Sequence, residues 1–248
     1  MPLEFRRHQY ASLDTVVAQT GPAPSIPVIL CHGYGAGGSD LVSLAEPLVD
    51  WLEEASEQFQ FVFPAAPLSP PELAMYGGRA WWEINMAKLL AASQSGSFEE
   101  LHDVEPPGIE QATNVLAACV RAVLQQHGTT GPYVLGGFSQ GAMVTMNAAL
   151  RSDLPRPDLL IQFSGTVVCR PQWLAALTAG RLSKTSVLQS HGRQDAILPF
   201  SSAEVLCRLL EDANVDHQFM AFNGSHTIPM DALMQLAVKL KQVALKEN

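Results

Sequence analysis

The pentapeptide Gly137-Phe138-Ser139-Gln140-Gly141 constrains this chain more than any other stretch, because its two flanks demand different backbones. Upstream, Tyr133-Val134-Leu135 is short, apolar and β-prone, while downstream the run from Ala142 to Leu150 is rich in helix formers. A strand therefore turns into a helix at Ser139. So sharp a turn strains the central residue and crowds its neighbours, and glycine at 137 and 141 removes the Cβ atoms that would clash. The hydroxyl is pushed clear of the backbone at a helix start, where free N–H groups and the positive dipole end face whatever it attacks. A glycine-rich loop with a solvated serine is the plainer alternative, but the strand-then-helix context favours a nucleophile. A nucleophilic serine needs a base, and the base needs an orienting carboxylate.

The 248 residues contain no linker-like stretch, so one domain spanning 1–248 is expected. With 47% hydrophobic and 16% charged residues there is material for a large core and no case for disorder. The balance of 15 Lys and Arg against 24 Asp and Glu, net −9, argues against nucleic acid or an anionic membrane surface as partner. The polar start from Met1 to His8 lacks the apolar core of a secretory signal, and no run of 18 apolar residues exists, so no stable membrane insertion and a cytoplasmic location are expected. Cys31, Cys119, Cys169 and Cys207 are widely spaced without a C-x-x-C pair and read as four buried free thiols, not as disulfides or a metal site.

Along the chain, residues 3–9 are expected to form an edge strand, and Val28-Ile29-Leu30-Cys31 a buried one that runs into a glycine-rich loop, His32 to Gly38. That loop fits neither the dinucleotide fingerprint nor a P-loop. One helix is expected from Ser39 or Asp40 to about Glu57, with Leu41, Leu44, Leu48 and Leu52 on one stripe. After a strand at Phe59 to Phe63, periodicity fails from Leu68 to Pro107, a lid-like excursion expected over one edge of the sheet. Trp81 and Trp82 within it are candidates to line an acyl pocket, with simple packing as the alternative. An amphipathic helix follows at Ile109 to His127. Beyond the pentapeptide, strands at 158–163, 186–190 and 217–222 alternate with helices at 172–179, 201–213 and 230–245. This alternation calls for an α/β fold, a mostly parallel sheet with helices on both faces, whose ligands meet the loops at the strands' carboxyl ends.

Of seven histidines, His8, His102 and His127 sit in segments that read as surface, and His217 begins its strand at the wrong edge. His32 and His191 each precede glycine at a strand end and read as loop-holding. His226 follows a strand with Gly224 beside it, which suits a turn that aims an imidazole at Ser139. Among the carboxylates only Asp195 comes just after a strong strand and faces the same edge; Asp153, Asp158, Asp212, Asp216 and Asp231 are explained by turns and caps. The order Ser139, Asp195, His226 is that of α/β-hydrolases.

Several separate pieces, Leu30-Cys31-His32-Gly33-Tyr34-Gly35, Pro64-Ala65-Ala66-Pro67, Ala80-Trp81-Trp82-Glu83, Gly136 to Gly141, His191-Gly192 with Asp195, and Gly224 with His226, resemble the carboxylesterase, lysophospholipase and acyl-protein thioesterase family of small α/β-hydrolases. The resemblance covers about Val28 to His226. It implies a Ser139, Asp195, His226 triad, an oxyanion hole from the backbone N–H groups of Tyr34 and Gln140, no metal and no cofactor, and a small-molecule ester or thioester substrate acted on by a monomer or homodimer. Tyr34, where relatives commonly carry a small apolar residue, and Arg79, just before the Ala80-Trp81 match, are departures expected to narrow or recharge the acyl pocket.

Overall fold

The computed structural model describes residues 2–95, 98–128 and 131–245. Eight strands form one sheet: β1 (Glu4–Tyr10), β2 (Leu13–Gln19), β3 (Ile26–Cys31), β4 (Phe59–Pro64), β5 (Val134–Phe138), β6 (Leu159–Phe163), β7 (Ser186–Gly192) and β8 (Asp216–Phe222), in the spatial order β1-β2-β4-β3-β5-β6-β7-β8. β2 runs antiparallel to both its neighbours, and from β4 to β8 every pairing is parallel. β3, β4 and β6 are buried along their whole length, as an internal parallel sheet requires. Alternate residues feed opposite faces: Val28, Leu30 and Val134 pack on one side with α1 (Ala45–Leu52) and α8 (Met230–Leu245). Ile29, Cys31 and Leu135 pack on the other with α4 (Ile109–Gln126), α5 (Gln140–Arg151), α6 (Arg170–Thr178) and α7 (Phe200–Asp212). Each fully buried Leu, Ile or Phe contributes about 1.5–3 kcal/mol, so helices on both faces are obligatory.

The expected helix over 39–57 is three pieces: a 3-10 turn at Asp40–Leu44, then α1, then a second 3-10 turn at Glu53–Gln58. Pro47 explains the first break. It has no N–H for the ladder and is tolerated only in a first turn, so the α-helix begins just before it. Ser39 makes no side-chain cap. Likewise β2, which pairs β1 to β4, was not foreseen.

The excursion at 68–107 is pinched at its base by a bridge between Leu68 and Ala80 and holds short helices at Pro71–Ala74 and Met86–Ser95 and a 3-10 turn at Phe98–Asp103. Residues 96 and 97 of it lie outside the described residues. Among the described residues no helix is long and apolar enough to cross a membrane.

Two histidines expected at the surface are not there. His102 is buried with Nε2 3.1 Å from Ser202 Oγ, and His127 is half-buried between Pro24 O and Gln60 Oε1, each at 3.0 Å. Cys31, Cys119 and Cys169 are buried free thiols, but Cys207 is only half-buried.

Candidate active site

The strand order reverses between β3 and β5, which lie side by side with β4 beyond one and β6 beyond the other. A crevice opens at the carboxyl ends of two such strands. The loop after β3 carries His32 to Tyr34, and the turn after β5 carries Ser139.

Ser139 has φ 55° and ψ −120°, a backbone conformation that costs a non-glycine residue about 1–3 kcal/mol, and its N–H donates to Phe163 O at 2.8 Å. The two glycines act by close approach. A Cβ at Gly137 would stand 2.3 Å from Cys31 O, and one at Gly141 would stand 2.0 Å from the same oxygen and 2.7 Å from His32 O. The start of α5 is thus seated directly on the end of β3.

Asp195 lies in the loop after β7 and is tightly held. Its Oδ1 accepts the N–H groups of Ile197 and Leu198, each at 2.9 Å, and its Oδ2 meets His226 Nδ1 at 2.6 Å and His191 Nε2 at 3.2 Å. Burial alone would push this carboxyl up. The hydrogen bonds from His191 and His226, the charge of His226 and the Leu198 N–H outweigh it and hold Asp195 well below the usual carboxylate range. The Asp195 and His226 loops are stitched together, with Arg193 N–H on Phe222 O and Gln194 N–H on Gly224 O.

His226 must reach from β8 across β6 and β7 to Ser139. Two contacts guide it: Ser164, at the end of β6, donates its hydroxyl to Thr227 O at 3.2 Å, and the Phe138 ring packs on the His226 ring at 4.7 Å between centroids. Ser139 and His226 then line one cleft of about 450 Å³. The hydrogen bonds among the described residues close the Asp195–His226 link and include none from Ser139 Oγ to His226, a link that catalytic sites commonly tighten only around substrate.

Among the described residues the backbone N–H groups of Tyr34 and Gln140 find no acceptor, whereas Gly35 N–H is committed to Arg79 O and Ala36 N–H to Gly33 O. The cleft's other lining is mostly apolar, with Leu89, Phe98, Leu101, Met143 and Val168 among it, and Tyr34, Asp40 and Glu83 add polar groups. Tyr34 lines the cleft, and its hydroxyl donates to Glu72 Oε1 at 3.1 Å.

Of the other expected contacts only Trp82 lines this cleft. Trp81 is 1% exposed and braces the loops, its indole N–H on His32 O at 3.0 Å. Arg79 donates to Ala66 O and lines a separate cleft with Arg7 and Ser39, not this one. The sequence reading also missed a brace. Gln140 Oε1 accepts Trp81 N–H at 2.9 Å and its Nε2 donates to Trp82 O at 2.8 Å, which fastens the excursion to the start of α5. His32 and His191 hold loops as expected: His32 Nε2 accepts Ala66 N–H at 3.0 Å, and His191 Nε2 also reaches Leu198 O at 2.9 Å.

The chain is 29% identical over 194 residues to acyl-protein thioesterase 1 of Eremothecium gossypii, covering 78% of this chain and 75% of the relative. It is 26% identical over 237 residues to acyl-protein thioesterase 1 of Kluyveromyces lactis, covering 93% and 96%. The crystal structure of esterase PE8 superposes with a TM-score of 0.68 at 27% identity, covering 91% of this chain and 95% of that one. The family model described as Phospholipase/Carboxylesterase matches residues 13–244, and the chain belongs to that family of α/β-hydrolases.

Proposed function

We propose that this protein is a serine hydrolase cleaving carboxylic esters of small to medium acyl chains through Ser139, His226 and Asp195. The observation that carries the reading is the 2.6 Å link from His226 Nδ1 to Asp195 Oδ2 in the wall of the cleft that also exposes Ser139. Ser139 Oγ attacks the acyl carbonyl as His226 Nε2 takes its proton, and Asp195 holds the imidazole tautomer and stabilises the imidazolium. The carbonyl oxygen, now an anion, takes the N–H groups of Tyr34 and Gln140. Collapse expels the alcohol, which leaves with the proton from His226, and the acyl group remains on Ser139. Water deprotonated by His226 then releases the acid and regenerates the serine. The apolar side chains lining the cleft, Trp82 among them, suit an acyl chain.

The thioesterase names of the curated relatives favour a second reading, the same chemistry on an acyl-protein thioester or a lysophospholipid. A p-nitrophenyl ester series of increasing acyl length, run beside matched thioesters, tests both. A maximum kcat/KM on short to medium oxygen esters is expected. Rates higher on thioesters by tenfold or more favour the second reading, and no hydrolysis of either rejects both.

A further inference from the structure

The start of β8 lies at the edge of the sheet opposite to the cleft, separated from the His226 loop by a seven-residue strand, roughly 20 Å at strand rise. There one turn of α7 and one residue of β8 bring three different donors together. Cys207 Sγ, a carboxylate oxygen of Glu211 and an imidazole nitrogen of His217 all lie within 4.8 Å of one another. Cys207 and Glu211 are four residues apart on one helix face, with the thiol already donating to Glu211 Oε1 at 3.2 Å.

The imidazole is prepared from behind. Gln189, fully buried on β7, donates its Nε2 to Ala203 O at 2.9 Å, which turns its Oε1 toward His217 Nε2, also at 2.9 Å. That oxygen only accepts, so Nε2 carries the hydrogen and the lone pair available to a cation sits on Nδ1. A buried acceptor that fixes the tautomer of an outward imidazole is the arrangement found behind metal-bound histidines. The surroundings are acidic, with Glu204 and Asp216 beside the three donors and Arg208 as the opposing charge.

We propose that Cys207, Glu211 and His217 form a binding site for a borderline divalent cation of the Zn²⁺ type, distinct from the hydrolase cleft, that clamps the first residue pairs of β8 to α7. Thiolate, imidazole and carboxylate are the donor set of Zn²⁺ and Co²⁺, and thiolate disfavours Mg²⁺ and Ca²⁺. Tetrahedral bonds of about 2.0–2.3 Å place ligand atoms about 3.3–3.8 Å apart, so donors already within 4.8 Å of one another need to draw together by no more than about 1.5 Å. The fourth position falls to water. Binding replaces the thiol proton, which is released to solvent. Cys31, Cys119 and Cys169 are buried and cannot compete in the folded protein.

The test is titration of the full chain with Co²⁺ and Zn²⁺, read by thiolate-to-Co²⁺ charge-transfer absorption, by metal content after gel filtration and by Tm. One equivalent per chain with a raised Tm is expected, and Cys207→Ser and His217→Gln should each weaken binding by about tenfold or more while leaving ester hydrolysis by the metal-free protein unchanged. Absence of the charge-transfer band, or stoichiometric binding that survives both substitutions, would overturn the site.

Discussion

Gly141→Ala probes how closely the nucleophile turn is seated on the loop expected to bind the oxyanion. The added Cβ would stand 2.0 Å from Cys31 O, 2.5 Å from Cys31 C and 2.7 Å from His32 O. An ordinary C···O contact is about 3.3 Å, so the two backbones must part by roughly 1 Å. None of the atoms struck belongs to a side chain that can rotate away, and the residue two after His32 is Tyr34. A displacement of that size costs on the order of 10²-fold in rate when it separates a nucleophile from its stabilising groups. Overpacking of this kind costs about 1–3 kcal/mol, which for a chain of this length lowers Tm by roughly 2–12 °C. Gly37→Ala is the control, since its nearest non-neighbour is Gly77 O at 3.6 Å, and it should change stability by less than about 0.5 kcal/mol. The assays are kcat/KM on p-nitrophenyl butyrate and thermal unfolding followed by circular dichroism. A Gly141→Ala protein with wild-type kcat/KM and Tm would refute the close-seating argument.

Ser139→Gly should relieve the φ 55° strain and melt at or above the wild-type temperature while turnover falls on the order of 10³ to 10⁶-fold; Ser139→Ala should lose the same activity without the gain in Tm. Asp195→Asn replaces an acceptor by an amide facing His226 Nδ1 and two backbone N–H groups, and kcat should drop about 10⁴-fold in steady-state assays. Burial lowers the pKa of His32, His102 and His127, so below about pH 6.5 the unfolded chain binds more protons than the native one, and stability present above that pH is lost as pH falls. The depressed Asp195 adds a further loss as pH drops through about 4 toward its folded value. Urea midpoints should therefore decrease from pH 7.5 to 5; a midpoint that rises over that interval contradicts the assignment.

The parallel strands were legible because burial on both faces leaves continuous apolar runs such as Val28 to Cys31 and Phe59 to Phe63. β2 was not, because exposed Asp14 and polar but buried Thr15 interrupt its apolar pattern and its partner β1 is exposed along almost its whole length. Ser139, Asp195 and His226 could be picked out because each follows a strand, and a parallel sheet sends all such loops to one edge. The bracing was hidden. Trp81 and Trp82 are adjacent, yet one faces His32 and the other the cleft, and nothing in a tryptophan pair says which does which. Ser164 carries no local mark of its bond to Thr227, a residue 63 positions away. His102 read as surface because Glu99, Glu100 and Asp103 surround it, but one inward position of a 3-10 turn was enough to bury it.

Whether Ser139 is the nucleophile that His226 activates is tested most directly by a fluorophosphonate label followed by intact mass and peptide mapping. A single adduct on Ser139 is expected, forming about 10³-fold more slowly in His226→Gln. An adduct on another residue, or undiminished labelling in that variant, would contradict the account.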